Sequence, residues 1–175
     1  MKRRSLLTLG CAAALSGCST VHDVAALIAS QTADALSATP SDPTYLDWKG
    51  LLLVTDPDAN DNTPIAFDIV FVRNRQALDR LRKLDAHAWF RARAEQQATY
   101  PGAMVVRSFE LVPGQTLRLS ESELDAPRVV GVLLYADYPD PGAHRITLPR
   151  SAPGAIVRFG LRDFTVTTYR FGSPT

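Results

Sequence analysis

The sequence predicts a mainly β domain, a sandwich or a barrel, with one inserted α-helical segment. Three observations carry this reading. Short runs rich in branched and aromatic residues recur through most of the chain. Turns built from proline, glycine and aspartate separate them at intervals too short for βαβ crossovers. One stretch, Gln76 to Gln97, breaks the strand rhythm: Leu78, Leu81, Leu84, Ala88 and Trp89 return at three- and four-residue spacing, with Arg80, Arg82, Lys83, Arg91 and Arg93 between them. At 175 residues and 46% hydrophobic content, the chain suits one domain with a single core.

The first elements address the chain rather than fold it. Lys2, Arg3 and Arg4 precede an apolar stretch from Leu6 to Leu15 that only Thr8 interrupts, the build of an export signal over residues 1–17. The stretch is half the roughly 20 residues a spanning helix needs. Leu15-Ser16-Gly17-Cys18 is similar to the lipobox of bacterial lipoproteins, where the cysteine is acylated and becomes the first residue. Cleavage there removes three of the 19 basic side chains and none of the 18 acidic ones, leaving a formal charge of −2. It also removes Cys11, so that with Cys18 acylated no thiol remains for catalysis or a disulfide. The Arg3-Arg4 pair leaves twin-arginine export open beside the general route. Residues 18–43 read as a lipidated tether rich in Ala, Ser and Thr. Val24, Leu27, Ile28 and Leu36 leave a short amphipathic helix docked on the body as the other reading.

The domain proper is expected over 44–175. Leu51 to Thr55 and Ile65 to Val72 read as its first two strands, joined by Asp56-Pro57-Asp58-Ala59-Asn60-Asp61-Asn62-Thr63-Pro64, a polar loop expected to lie wholly outside the core. The helical segment follows, with a break expected at His87 to Phe90. Strands then return at Met104 to Leu111, Gln115 to Leu119, Arg128 to Tyr138, His144 to Leu148, Ala155 to Leu161 and Phe164 to Tyr169. Val129, Val130, Val132, Leu133 and Leu134 are apolar on both faces, which predicts a central strand. Phe164, Val166 and Thr168 alternate against Thr165, Thr167 and Tyr169, as on a half-buried one.

Chemistry is scarce. There is no nucleophile elbow, zinc-protease, P-loop or dinucleotide signature, and none of these residues asks for a cofactor. His22, His87 and His144 are scattered, and His144 beside Asp137 and Asp140 reads as a solvated turn residue rather than a metal ligand. Ser120, Glu121, Ser122 and Glu123 read as turn-capping residues. Asp56, Asp58 and Asn60 fall at the first, third and fifth positions of a calcium loop, but Asp61 stands where glycine is wanted and Phe67 where the bidentate glutamate belongs. The arginines from Arg73 to Arg93 alternate with acids and read as a solvated helix face with local charge pairs, not a nucleic-acid surface.

Taken in order, these features resemble the outer-membrane lipoprotein of type VI secretion systems, the TssJ or SciN family. The likeness runs from the Cys18 lipobox through Leu51-Leu52-Leu53-Val54, Asp56-Pro57-Asp58-Ala59-Asn60 and Thr63-Pro64-Ile65. It continues through Phe109-Glu110-Leu111-Val112-Pro113-Gly114-Gln115-Thr116 to the run from Val129 to Tyr138. Gln115 replaces an acidic residue, Phe71 to Arg75 departs from the family's second-strand exit, and Pro139 to Ala143 stands where a Trp-Arg pair is common, so the chain is identified as a divergent member. The resemblance implies a transthyretin-like β-sandwich without enzymatic activity, held on the periplasmic face of the outer membrane by lipid on Cys18. It also implies binding of the periplasmic C-terminal domain of the inner-membrane protein TssM through the first interstrand loop, here Asp56, Pro57, Asp58, Ala59, Asn60, Asp61, Asn62 and Thr63. The alternative reading is a ligand- or calcium-binding envelope lipoprotein unrelated to secretion, with the same loop as its site.

Overall fold

A computed structural model of the chain describes residues 42–169. The signal segment, Cys18, His22 and the predicted tether helix lie outside the described residues. The elements run β1 (Gly50–Thr55), β2 (Ile65–Val72), α1 (Arg75–Leu81), α2 (Ala86–Thr99), β3 (Met104–Leu111), β4 (Thr116–Ser120), α3 (Glu121–Leu124), β5 (Gly131–Ala136), β6 (Arg145–Leu148), β7 (Gly154–Phe159) and β8 (Phe164–Tyr169). Two four-stranded sheets form, ordered β4-β1-β7-β8 and β3-β2-β5-β6. The predicted mainly β sandwich is therefore the observed one. All pairings between named strands are antiparallel except β1 with β7, which run parallel from Gly50 opposite Gly154 to Thr55 opposite Phe159.

Side-chain alternation divides the apolar residues between two cores. On β2, Ile65, Phe67, Ile69 and Phe71 face the other sheet and pack with Leu51, Leu53, Leu119, Val157 and Phe159. Phe67 and Phe159 meet across the sandwich with ring centroids 4.8 Å apart. Val70 and Val72 point the other way, with Val130, Leu133 and Tyr135, into a second core roofed by Ala77, Leu78, Leu81, Ala86 and Trp89 of α1 and α2. Strands β2 and β5 are thus covered on both faces, which accounts for runs that are apolar on both faces except at Asp68. The expectation of a central strand at β5 holds: it lies between β2 and β6, and all six of its residues are buried.

The helical segment departs from its expected form. It is two helices, and the break falls at residues 82–85 rather than at His87 to Phe90. Asn74 Oδ1 accepts from Ala77 N–H at 3.0 Å, and Asp85 Oδ1 accepts from Ala88 N–H at 2.7 Å, so each helix starts on a side-chain cap. Trp89, 14 residues after Arg75, stacks on Tyr135 at 4.9 Å, and the Tyr135 hydroxyl donates to the Leu81 carbonyl at 2.7 Å. Burial raises the pKa of that phenol, so it remains a donor. The arginine-rich face is not wholly solvated either. Arg75 pairs locally with Asp79 at 3.4 Å, but Arg93 reaches back to Asp68 of β2, a carboxylate only 1% exposed.

Ser120 and Glu123 close a reciprocal capping box at α3, and donation from the Ser120 hydroxyl, then from its backbone N–H, to Glu123 Oε2 holds that carboxyl below the usual range. Gly131 lies directly beneath α1: a Cβ there would stand 2.7 Å from Leu78 Cδ2, so the buried Leu78 side chain would have to shift. Gly131→Val is expected to cost about 2 kcal/mol through overpacking. Urea unfolding of the purified chain reads this directly.

The strand directions give the sandwich two ends. At one end lie the start of β1, the end of β2, the start of β5 and the end of β6, and there the chain joins the fold through the Thr44–Val129 bridge. At the other lie the loop from β1 to β2 and the turns β3–β4, β5–β6 and β7–β8. Eight-residue strands place the ends roughly 25 Å apart.

Candidate functional site

The β1–β2 loop is a folded object rather than a slack connection. After Asp58 the chain makes one 3₁₀ turn, Ala59–Asn62, in which Asn60, Asp61 and Asn62 take φ of 49°, 53° and 59°. Three successive left-handed residues would be costly for most side chains, and Asn and Asp are those that tolerate the region best. Asn60 fixes the turn. Its Nδ2 donates to Thr63 Oγ1 and to the Pro64 carbonyl, both at 2.8 Å, while Thr63 Oγ1 donates to the Asn60 carbonyl at 2.6 Å.

The expectation that this loop lies wholly outside the core is corrected. Ala59 is fully buried and Asn60 is 6% exposed, because the turn folds down against the neighbouring β7–β8 turn, where Asn60 N–H donates to the Gly160 carbonyl at 3.2 Å. The loop's base is also held. The Asp56 carboxylate accepts from Arg158 Nε at 2.7 Å, and the Asp56 carbonyl accepts from Gly114 N–H at 3.1 Å. What the loop presents to solvent is Pro57, Asp58, Asp61, Asn62, Thr63 and Pro64.

The turns around it complete one surface. Val112, before the β3–β4 turn, is 53% exposed, and Leu161, in the β7–β8 turn, is 40% exposed. Sequence reasoning missed both, although an apolar residue inside a turn, as in Gly160-Leu161-Arg162-Asp163, is the signal that could have found them. Each is tied to the loop through its neighbours: the Val112 carbonyl accepts from Thr55 Oγ1 at 2.6 Å, and Leu161 follows the Gly160 that holds Asn60. Asp58 and Asp61 are exposed in the loop with no ion-pair partner among the described residues. Two exposed apolar residues in the turns that flank a loop with two unpaired carboxylates can engage a protein surface that offers apolar and basic groups.

His144 corrects a second expectation. It is 7% exposed, not solvated, with Nδ1 3.2 Å from Asp163 Oδ1, Nε2 2.9 Å from the Asp140 carbonyl and its ring 5.0 Å from that of Tyr138. The Tyr138 hydroxyl in turn donates toward the Gly160 and Asp163 carbonyls at 3.2 and 3.0 Å. Burial, and then the nearby Asp163 and Asp56 charges, raise its pKa and keep it a donor. These two rings stiffen the turn on which the loop leans. His87 of α2 reaches the other side of the same residue, with Nε2 2.7 Å from the Tyr138 carbonyl. Among the described residues no group of three or more His, Cys, Asp or Glu converges on a cation position, and Asp56 is turned to Arg158. No described helix is long and apolar enough to cross a membrane.

No family model and no curated protein matches the sequence. Among solved structures, the chain is similar to the type VI secretion lipoprotein TssJ1 from Pseudomonas aeruginosa, with a TM-score of 0.50 and 17% identity over 75% of this chain and 99% of that one. Lip of Serratia marcescens, a membrane bound component of the type VI secretion system, gives a TM-score of 0.47 and 17% identity over 68% of this chain and 96% of its own. A chain of a type VI membrane complex gives 0.47 and 14% over 72% and 98%. The chain has the fold of the lipoprotein TssJ1.

Proposed function

We propose that the chain is a divergent TssJ-type lipoprotein of a type VI secretion membrane complex, and that its part there is mechanical rather than catalytic. Acylated Cys18 holds it on the periplasmic face of the outer membrane, and the exposed residues of the loop Asp56 to Thr63 bind the periplasmic domain of a TssM-type inner-membrane protein. One observation carries the reading: the chain joins the sandwich at the end opposite the loop. A tether at one end and a rigid, acidic, partly apolar surface at the other suit a peg between a membrane and a partner. The fold shared with TssJ1 and the lipobox at Cys18 are consistent with it.

The loop's geometry defines the test. Because Ala59 and Asn60 anchor the turn, deleting the loop would confuse unfolding with lost binding, so substitutions belong at exposed positions. Asp58→Lys with Asp61→Lys should leave the melting temperature within a few degrees of the parent and weaken pull-down of the partner's periplasmic domain at least about tenfold, as charge reversal across an interface does. Undiminished capture would remove the loop from the interface. Heat from a calcium titration would instead favour the cation-binding alternative.

A further inference from the structure

At the end where the chain joins the fold, Arg73 and Arg128 line an open cleft of about 570 Å³. Both are exposed, and Arg73 has no side-chain partner among the described residues. Arg128 donates from Nε to the Pro43 carbonyl at 3.1 Å, and its guanidinium lies over the Tyr45 ring at 5.7 Å. Tyr45 is 72% exposed, the largest exposure among the big apolar side chains described. Arg150 Nη1 binds Thr44 Oγ1 at 2.9 Å and the Val129 carbonyl at 3.0 Å, which adds a third guanidinium at the same place. Asp42 is the one carboxylate in the cleft's lining. Of the acids near Tyr45, Glu121 is paired with Lys49 at 3.0 Å and Asp125 with Arg107 at 3.4 Å, while Asp47 is exposed without an ion-pair partner among the described residues.

We propose that this cleft receives the phosphodiester headgroups of anionic phospholipids in the anchoring leaflet, so that Arg73, Arg128 and the Tyr45 ring rest this end of the sandwich on the membrane. The inference rests on the anchoring of Cys18 proposed above and adds what a tether cannot supply. The residues between Cys18 and Asp42 can span at most about 80 Å, so an anchor at Cys18 limits how far the body stands from the bilayer without by itself fixing which end faces it. It does keep the arginines close to the bilayer. There, each basic side chain multiplies residence on an anionic surface about fivefold, and an aromatic ring settles at the headgroup level. A docked end would point the acidic loop away from the membrane and toward a partner.

The mature lipidated chain has no other thiol, so a single introduced cysteine can be labelled. Full-length acylated protein carrying Pro101→Cys, in the cleft, or Asp58→Cys, at the far end, is reconstituted into phosphatidylethanolamine vesicles with phosphatidylglycerol or with phosphatidylcholine. The expected result is protection of position 101 from an aqueous quencher in the phosphatidylglycerol vesicles alone, with position 58 accessible in both. Arg73→Gln with Arg128→Gln should lower the ratio of docked to free protein about 25-fold, and 0.5 M salt should release it similarly. Equal accessibility of position 101 in both vesicles overturns the proposal. So does protection in phosphatidylcholine vesicles brought on by inorganic phosphate, which would assign the cleft to a free anion. Failure of the anchor itself would look different: the protein would not float with either vesicle.

Discussion

Arg93→Ala is expected to destabilise the folded chain by about 3 kcal/mol, far more than loss of a surface ion pair. Asp68 sits in the middle of β2, 1% exposed, facing the helices. Its Oδ2 accepts from Trp89 Nε1 at 2.8 Å and from Arg93 Nη1 at 3.0 Å. Without the guanidinium, a buried carboxylate keeps one neutral donor, and a charge taken out of water without its counterion is costly. The low end of the usual range applies because the Arg93 side chain is 41% exposed, so water can follow where it leaves. The partner must be tested with it. Asp68→Asn combined with Arg93→Ala removes both charges while the Asn amide oxygen still accepts from Trp89 Nε1, and should recover most of the loss. Urea unfolding of the two single variants and the double variant closes the cycle. A loss below about 1 kcal/mol for Arg93→Ala would mean that Asp68 is hydrated in solution.

Cys18→Ser is expected to clear the chain from the outer membrane and to stop secretion while leaving the sandwich folded. Every described core residue lies beyond Asp42, so nothing in the fold itself calls for Cys18. The effect is therefore one of place. One acyl chain binds a bilayer marginally and two or more bind it firmly, so abolishing acylation removes the attachment rather than weakening it. Arginines at the joining end cannot substitute, because without the tether their local concentration at the membrane is lost. Cell fractionation and a secretion assay read both outcomes. An undiminished membrane pool would transfer the anchoring to another part of the chain.

The elements whose signals are local were legible. Strands β2, β3 and β8 fall on their expected limits, and the two-faced apolar run of β5 marks it as the central strand it is. The helix break was misplaced because Leu84, Ala88 and Trp89 keep helical spacing across it, and the cap at Asp85 outweighs that periodicity. Arg128 to Tyr138 was read too long, because Val129 and Val130 continue the apolar run while their backbones bond to Thr44 and Val72 outside the regular strand. Three features could not be read locally at all. The parallel pairing of β1 with β7 joins segments about a hundred residues apart. Asp68 and Arg93 look like a stray carboxylate and one more surface arginine until the helix is laid on the sheet. Asn60 reads as a turn former in a polar stretch, and only the Gly160 carbonyl beside it turns the loop inward. The same non-local placement separates the Arg73 and Arg128 cleft from the loop.

One flotation experiment probes the peg as a whole. Vesicles bearing the acylated full-length chain are mixed with the soluble periplasmic domain of the TssM-type partner and centrifuged up a density gradient. The partner should rise with vesicles carrying the parent chain and stay behind with those carrying Asp58→Lys and Asp61→Lys, although the lipoprotein itself floats in both. A partner that floats equally well with the loop variant, or remains below with the parent chain, would contradict a molecule anchored at one end and read at the other.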